Sequence, residues 1–253
     1  MKKFKLTSEF IVDISGVKLF RIKALIEFGN VKAGDLGGYI EKEENLSHMG
    51  DAWVSDDARI SGNAQVFGNA QVFGNAQVFG NARVSGNAQV FGNAWVFGNA
   101  RVSGNAQVFG NARVFGNAWV SGNARVSGNA RVSGNAQVFG NAQVFGNARV
   151  FGDAQVSGDA QVFGDAQVFG DAQVFGDARV SGDKDYAYAH GFGSCNRTTT
   201  FFRLKDGDVG VRCGCFYGTL AQFRDKVCET HGETKKAQEY LMLADLMEIR
   251  FKN

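Results

Sequence analysis

The chain has 253 residues, 44% of them hydrophobic, enough for a sizeable core, and its formal net charge of +2 implies no global electrostatic partner. No apolar run approaches the ~18 residues a membrane helix needs, and Met1-Lys2-Lys3 leads into mixed polar sequence rather than the apolar stretch of a signal peptide. The expectation is a cytoplasmic protein with no membrane partner, its thiols (Cys195, Cys213, Cys215 and Cys228) reduced.

Residues 1–50 have no regular period. Phe10–Ile14 and Val17–Ile22 flank Ser15-Gly16, which reads as a β-hairpin with a two-residue turn. The glycine spacing from Gly29 to Ile40 suggests chain already wrapping into a first, degenerate coil. A repeat array needs such a cap, because its first edge is otherwise a template for aggregation.

Residues 51–183 repeat the six-residue unit Gly-Asn/Asp-Ala-x-Val-Phe/Ser without insertion. Ala recurs from Ala52 to Ala178, giving 22 units, and Val or Ile stands two residues after each. Ala and Val therefore face one way along a short strand, and the Gln, Arg or Trp between them faces the other. Gly followed by Asn or Asp tolerates positive φ and turns the chain between strands. Glycine every six residues excludes a helix. The remaining solution is a solenoid of stacked parallel strands and corners.

The unit Val-x-Gly-Asn-Ala-x resembles the hexapeptide repeat of left-handed parallel β-helices of bacteria and phages, some of which are labelled acyltransferases. The stretch from Val31 to Ala58 resembles the head of those proteins, through Gly37-Gly38-Tyr39-Ile40 and Asn45-Leu46-Ser47. The resemblance implies a mainly β fold with three hexapeptides per triangular coil. Twenty-two units then make about seven coils, a prism roughly 35 Å long at ~4.8 Å per stacked strand. The organisation expected is an N-terminal β cap (1–50), a solenoid (51–183) and a small α+β C-terminal domain (184–253).

Stepping by 18 sorts the solenoid into columns. One outward column reads Arg59, Gln77, Trp95, Arg113, Arg131, Arg149 and Gln167. Its arginines stand about 5 Å apart and either splay into solvent or share an anion. Trp95, Arg113, Arg131 and Arg149 are thus the candidate ligand or partner site. The position after Val is Phe in 13 units and Ser in nine, and the resemblance implies that it points outward near a corner. Phe79, Phe97, Phe115, Phe151 and Phe169 share one such edge. They either stack on one another or form an apolar strip for self-association. The residue before Ala is Asn in the 15 units from Asn63 to Asn147 and Asp from Asp153 onward. Stacked Asn can form an amide ladder and stacked Asp cannot. Asp153 and Asp171 meet on one corner, with too few carboxylates converging for a calcium site.

Residues 184–253 leave the repeat. Thr198–Leu204 and Val209–Cys215 flank Lys205–Asp208 as a second hairpin. Thr219-Leu220-Ala221-Gln222 is a capping box opening a helix to about Glu229, ended by Gly232. A second helix runs from about Thr234 to Arg250, with Tyr240, Leu243, Leu246, Met247 and Ile249 mostly on one face. Cys215–Leu220 and Glu229–Gly232 resemble the tail of the same bacterial and phage proteins. Cys213, Cys215, Cys228 and His231 are zinc-type ligands. A Cys-x-Cys pair on a strand points its thiols to opposite faces, however, so buried reduced cysteine is the alternative.

Function follows less directly. The acyltransferases of the resembled family use a His base, and none of His48, His190 and His231 lies within the repeat; His190 alone stands just beyond it. The expectation is a non-enzymatic scaffold without catalytic residues, metal or cofactor, associating as a homodimer or trimer. A phage-type binding protein for an anionic ligand or a protein partner is the alternative, and an acyltransferase is the third reading.

Overall fold

The computed structural model describes residues 2–192 and 197–252; Cys195 lies outside them. Twenty-two two-residue strands run from Trp53–Val54 to Arg179–Val180, each the x-Val pair of one unit. Each strand pairs in parallel with the strand 18 residues on, so three units close one coil. Three sheets of ten, eight and seven strands form the faces of the prism. From Ala52 to Ala178 every repeat Ala, and every following Val or Ile, is at most 1% exposed, which bears out the alternation.

The corners show why the unit has its composition. Gly110 has φ +69, Asn111 has negative φ, and the Ala112 amide donates to the Phe109 carbonyl at 3.4 Å. Positive φ at the first central residue alone is the pattern of a type II′ turn. In the Gly-Asn units Gly therefore carries the left-handed conformation, where the sequence suggested that Gly and Asn could share it, and at the one early corner without Gly it is Asp56 that adopts it, at φ +55. The Asn has a different task. From Asn63 onward each Asn Nδ2 donates to the Oδ1 one coil later, at 3.0–3.3 Å within the asparagines, so one ladder runs up each corner. The ladders end where Asn135, Asn141 and Asn147 donate to Asp153, Asp159 and Asp165. A carboxylate accepts but cannot pass the chain of donors onward.

The N-terminal cap supplies a degenerate coil, making about eight in all. Tyr39 pairs with Arg59, Ile40 with Ile60 and Leu46 with Val66, each twenty residues apart, before the step of 18 begins at Trp53. The two extra residues fall between Leu46 and Trp53. The hairpin is longer than the sequence suggested, pairing Phe4–Val12 with Lys18–Ala24. Its turn is also wider than Ser15-Gly16. Asp13 closes it by accepting from the Ser15 and Val17 amides at 2.9 Å, with Gly16 at φ +84. The open core end is plugged by Lys3, whose buried ammonium donates to the Gly50 and Ala52 carbonyls at 3.1 and 2.7 Å and lies over the Phe28 ring.

The C-terminal unit has four antiparallel strands rather than two: Tyr186–Phe192, Arg197–Arg203, Val209–Cys213 and Phe216–Thr219. Alternation along the second of these joins the unit to the prism. Phe202 and Leu204 close the last coil with Tyr186, while Phe201 faces a separate core beneath helices α1 (Leu220–His231) and α2 (Lys235–Phe251). Thr219 caps α1 in a capping box with Gln222, and Gly232 follows its last residue, as expected. The buried stripe of α2 is Ala237, Tyr240, Ala244, Met247 and Phe251. Tyr240 and Met247 are buried as expected, but Leu246 and Ile249 are 55% and 70% exposed and Ala244 and Phe251 complete the stripe instead. No helix among the described residues is long and apolar enough to cross a membrane.

Candidate functional site

The outward column from Arg59 to Gln167 stacks in register on the ten-stranded face. Arg113 lies over the Trp95 ring at 4.8 Å, so these two sequence candidates are brought together. Arg131 and Arg149 follow on the next two strands, exposed, and neither forms an ion pair among the described residues.

The phenylalanine edge borders this face. Phe79, Phe97 and Phe115 stack at 4.9 Å with planes within 3° of parallel, and the Phe79 ring meets Trp95 edge-on at 6.1 Å. Ser133 interrupts the ladder. Phe151 and Phe169 resume it at 5.3 Å, and Tyr186 and Tyr188 close it edge-on. Ring-on-ring packing leaves the outer side open: Phe169 is 39% exposed and the other four are half-buried. The edge therefore both stacks and presents apolar surface.

At its N-terminal end the same face is overhung by the hairpin turn. Between them lies a cleft of about 510 Å³, lined by Ile14 and Leu19 on the hairpin and by Phe79, Trp95 and Arg59 on the prism. The sequence placed Arg59 and Trp95 in one column. The approach of Ile14 and Leu19 carries no local sequence signal, because it depends on how the hairpin folds back over the face.

The other candidates are dispersed. His48 stacks on Phe4, accepts from the Lys3 amide at Nδ1 (3.2 Å) and meets Glu43 through Nε2 (2.8 Å), so both ring nitrogens serve the cap. Glu43 is held below the usual carboxylate range by its hydrogen bonds from Lys2 and then His48. His190 bonds Thr198 Oγ1 at 2.9 Å and lies 3.7 Å from Asp171. Cys213, Cys215 and His231 line a cleft of about 290 Å³ that Cys228 does not join. Among the described residues no three His, Cys, Asp or Glu side chains are grouped to hold a metal ion. The four-ligand zinc set is therefore not assembled, because Cys228 sits on an exposed face of α1. Buried cysteine is not the answer either, since Cys215 and Cys228 are exposed free thiols and Cys213 is half-buried.

Fold and surface together define a β-solenoid repeat protein. Its repeats match the family model described as YdcK Beta solenoid repeat at residues 58–74, 70–86, 76–90, 88–104, 106–122, 124–140 and 142–158. No curated protein matches the chain.

Proposed function

We propose that the chain is a non-enzymatic scaffold that self-associates through its phenylalanine edge. The observation that carries this reading is the half-open Phe79–Phe169 edge, two stacked apolar runs along one rigid face with Ser133 between them. Burying one Phe side chain is worth ~1.5–3 kcal/mol before the costs of association. A column of five is thus enough to drive a dimer or trimer of closed symmetry. The non-enzymatic part rests on the engagement of His48 within the cap and on a repeat body without His, Lys or Glu side chains that could act as a base.

Sedimentation velocity over a wide concentration range tests the association. The wild type should form a discrete oligomer, and joint replacement of Phe79, Phe97, Phe115, Phe151 and Phe169 by Ser should yield a folded monomer. Ser already occupies the equivalent position in nine units. A wild type that stays monomeric at high concentration refutes the scaffold reading. Acetyl-coenzyme A with assorted amines or hydroxyls should release no thiol above background; turnover lost with His190→Ala would restore the enzyme reading.

A further inference from the structure

The geometry points to the cleft beneath the hairpin turn as a binding site for a small aromatic or aliphatic anion, its apolar body held between hairpin and prism and its charge on Arg59. The site shares Phe79 with the phenylalanine edge but its other lining residues lie outside that edge, so binding here does not require self-association.

Its volume of about 510 Å³ falls within the range of small-molecule pockets, and its lining joins the apolar Ile14, Leu19, Phe79 and Trp95 to polar groups on both the hairpin and the prism. Two walls are supplied by separate parts of the fold. Leu19 is buried in the hairpin and fixes one side, while Phe79 and Trp95 fix the other and are braced from behind by Phe97 and Arg113. Ile14, at the tip of the turn, also lines the cleft and is fully exposed. A large aliphatic side chain held over an apolar cleft, with nothing upon it, gains burial when a ligand fills the space.

Charge selects the ligand. Arg59 is half-buried in the lining of the cleft and forms no ion pair among the described residues. Gln77 and Ser61 add neutral hydrogen-bonding groups beside it. Among the described residues Asp13 is the acid in the lining, and its charge lies near enough to Arg59 to interact with it. Its Oδ1 is committed to the turn by bonds from the Ser15 amide, the Ser15 hydroxyl and the Val17 amide, at 2.9, 2.7 and 2.9 Å. A guanidinium is weakly hydrated and forked, which suits a carboxylate or sulfonate at the edge of an apolar pocket. An uncharged ligand would leave that fork unused, and a cation would meet it directly.

The test uses the full chain, below the concentration at which it associates, with anilinonaphthalene sulfonate and its uncharged counterpart phenylnaphthylamine as fluorescent probes. The wild type should bind one equivalent of the sulfonate. Arg59→Gln should weaken the sulfonate by about tenfold or more and leave the uncharged dye unchanged, as loss of a charge-assisted contact does. Trp95→Gln should weaken both dyes, and Asp13→Asn, which retains the Oδ1 acceptor, should tighten the sulfonate alone. Gln stands in the same column at positions 77 and 167, so neither Gln variant should threaten folding. Trp119→Gln, on another face, is the control and should change nothing. Equal sulfonate binding by wild type and Arg59→Gln overturns the proposal. So does an equal loss in Trp119→Gln, which would mean that the dye coats aromatic surface at large.

Discussion

The body of the prism and its two ends solve the same problem by opposite means. In the body, one solution is repeated: Ala and Val inside, Gly at the turn and Asn on the ladder, each position answering to identical neighbours above and below. At the ends every solution is unique. Lys3 and Asn45 satisfy the first coil, Asn45 through bonds to the Gly62 and Ala64 carbonyls at 3.0 and 2.8 Å. Asp185 accepts from the Ser181 and Gly182 amides beyond the last one. The difference teaches that periodicity specifies a coil but cannot specify how coils stop. Stopping requires polar groups that close unpaired backbone, and side chains such as Phe202 that fill an open core.

The sharpest way to break the comparison is inside the body. Val126 is fully buried and its neighbour Arg125 is exposed. Val126→Asp places an unpaired charge in the coil and should cost more than about 4 kcal/mol, whereas Arg125→Asp loses only a cation–π contact with Phe109 and should cost less than about 1 kcal/mol. Urea denaturation of the two variants decides it. Equal losses would mean that strand orientation is not what holds the body together.

An end should respond to pH in a way the body cannot. Burial lowers the Lys3 pKa from 10.5 to about 8, opposed in part by Asp51. The folded state therefore gives up this proton at lower pH than the unfolded chain. Unfolding takes up a proton between about pH 8 and 10.5, and stability rises with pH across that window. The neutral amine still has donors for the Gly50 and Ala52 carbonyls. Relative to Lys3→Met, the wild type should gain no more than about 3 kcal/mol over the window. A flat difference in thermal unfolding between the two proteins would show that Lys3 is well solvated.

Glycine sharpens the contrast further. A Cβ on Gly116, at φ +72, would lie 3.0 Å from the Gly134 nitrogen one coil on. At Gly182, where the repeat ends, φ is −160° and a Cβ would meet nothing within 4 Å. Gly116→Ala should cost about 2 kcal/mol through strain and backbone crowding, and Gly182→Ala should be neutral within about 0.5 kcal/mol. Matched midpoints in calorimetry for the two variants would remove stacking as the reason for Gly in the unit.

How far the sequence could be read follows the same division. The inward Ala and Val are consequences of the period and were legible in it, whereas the register of 18, and with it the columns that carry the amide ladder and join Trp95 to Arg113, was implied by the resemblance to hexapeptide-repeat β-helices. Tyr39 and Ile40 could be placed in a first coil because their glycines echo the repeat. The strands Tyr186–Phe192 and Phe216–Thr219 were not legible, because their partners are set by the sheet that covers the last coil rather than by a turn of their own. The stripe of α2 was misplaced because Leu246 and Ile249 are as apolar as Met247. Only packing against the sheet distinguishes them. The cleft was hidden for a related reason: Ile14 and Phe79 are far apart in sequence, and no pattern in either segment encodes the other.

The smallest effect tests the boundary between body and end. Each amide ladder has a direction, Nδ2 to Oδ1 toward the C-terminus, and it stops at the first Asp. Asp153 accepts from Asn135 at 2.8 Å but has no proton for Asp171 above it. In Asp153→Asn the new amide still accepts from Asn135 and can also donate to Asp171. The charged terminus moves up one coil, and one pair of stacked carboxylates is removed. The bond from Asn135 weakens as its acceptor becomes neutral, but a charge-assisted bond to Asp171 takes its place, so the ladder lengthens by one bond. The expected gain is about 0.5–1 kcal/mol, shrinking in high salt as the relieved repulsion is screened. A variant less stable than wild type at low salt would mean that the ladder needs its carboxylate at that coil, and that the change from Asn to Asp belongs to the design of the end rather than marking where the ladder stops.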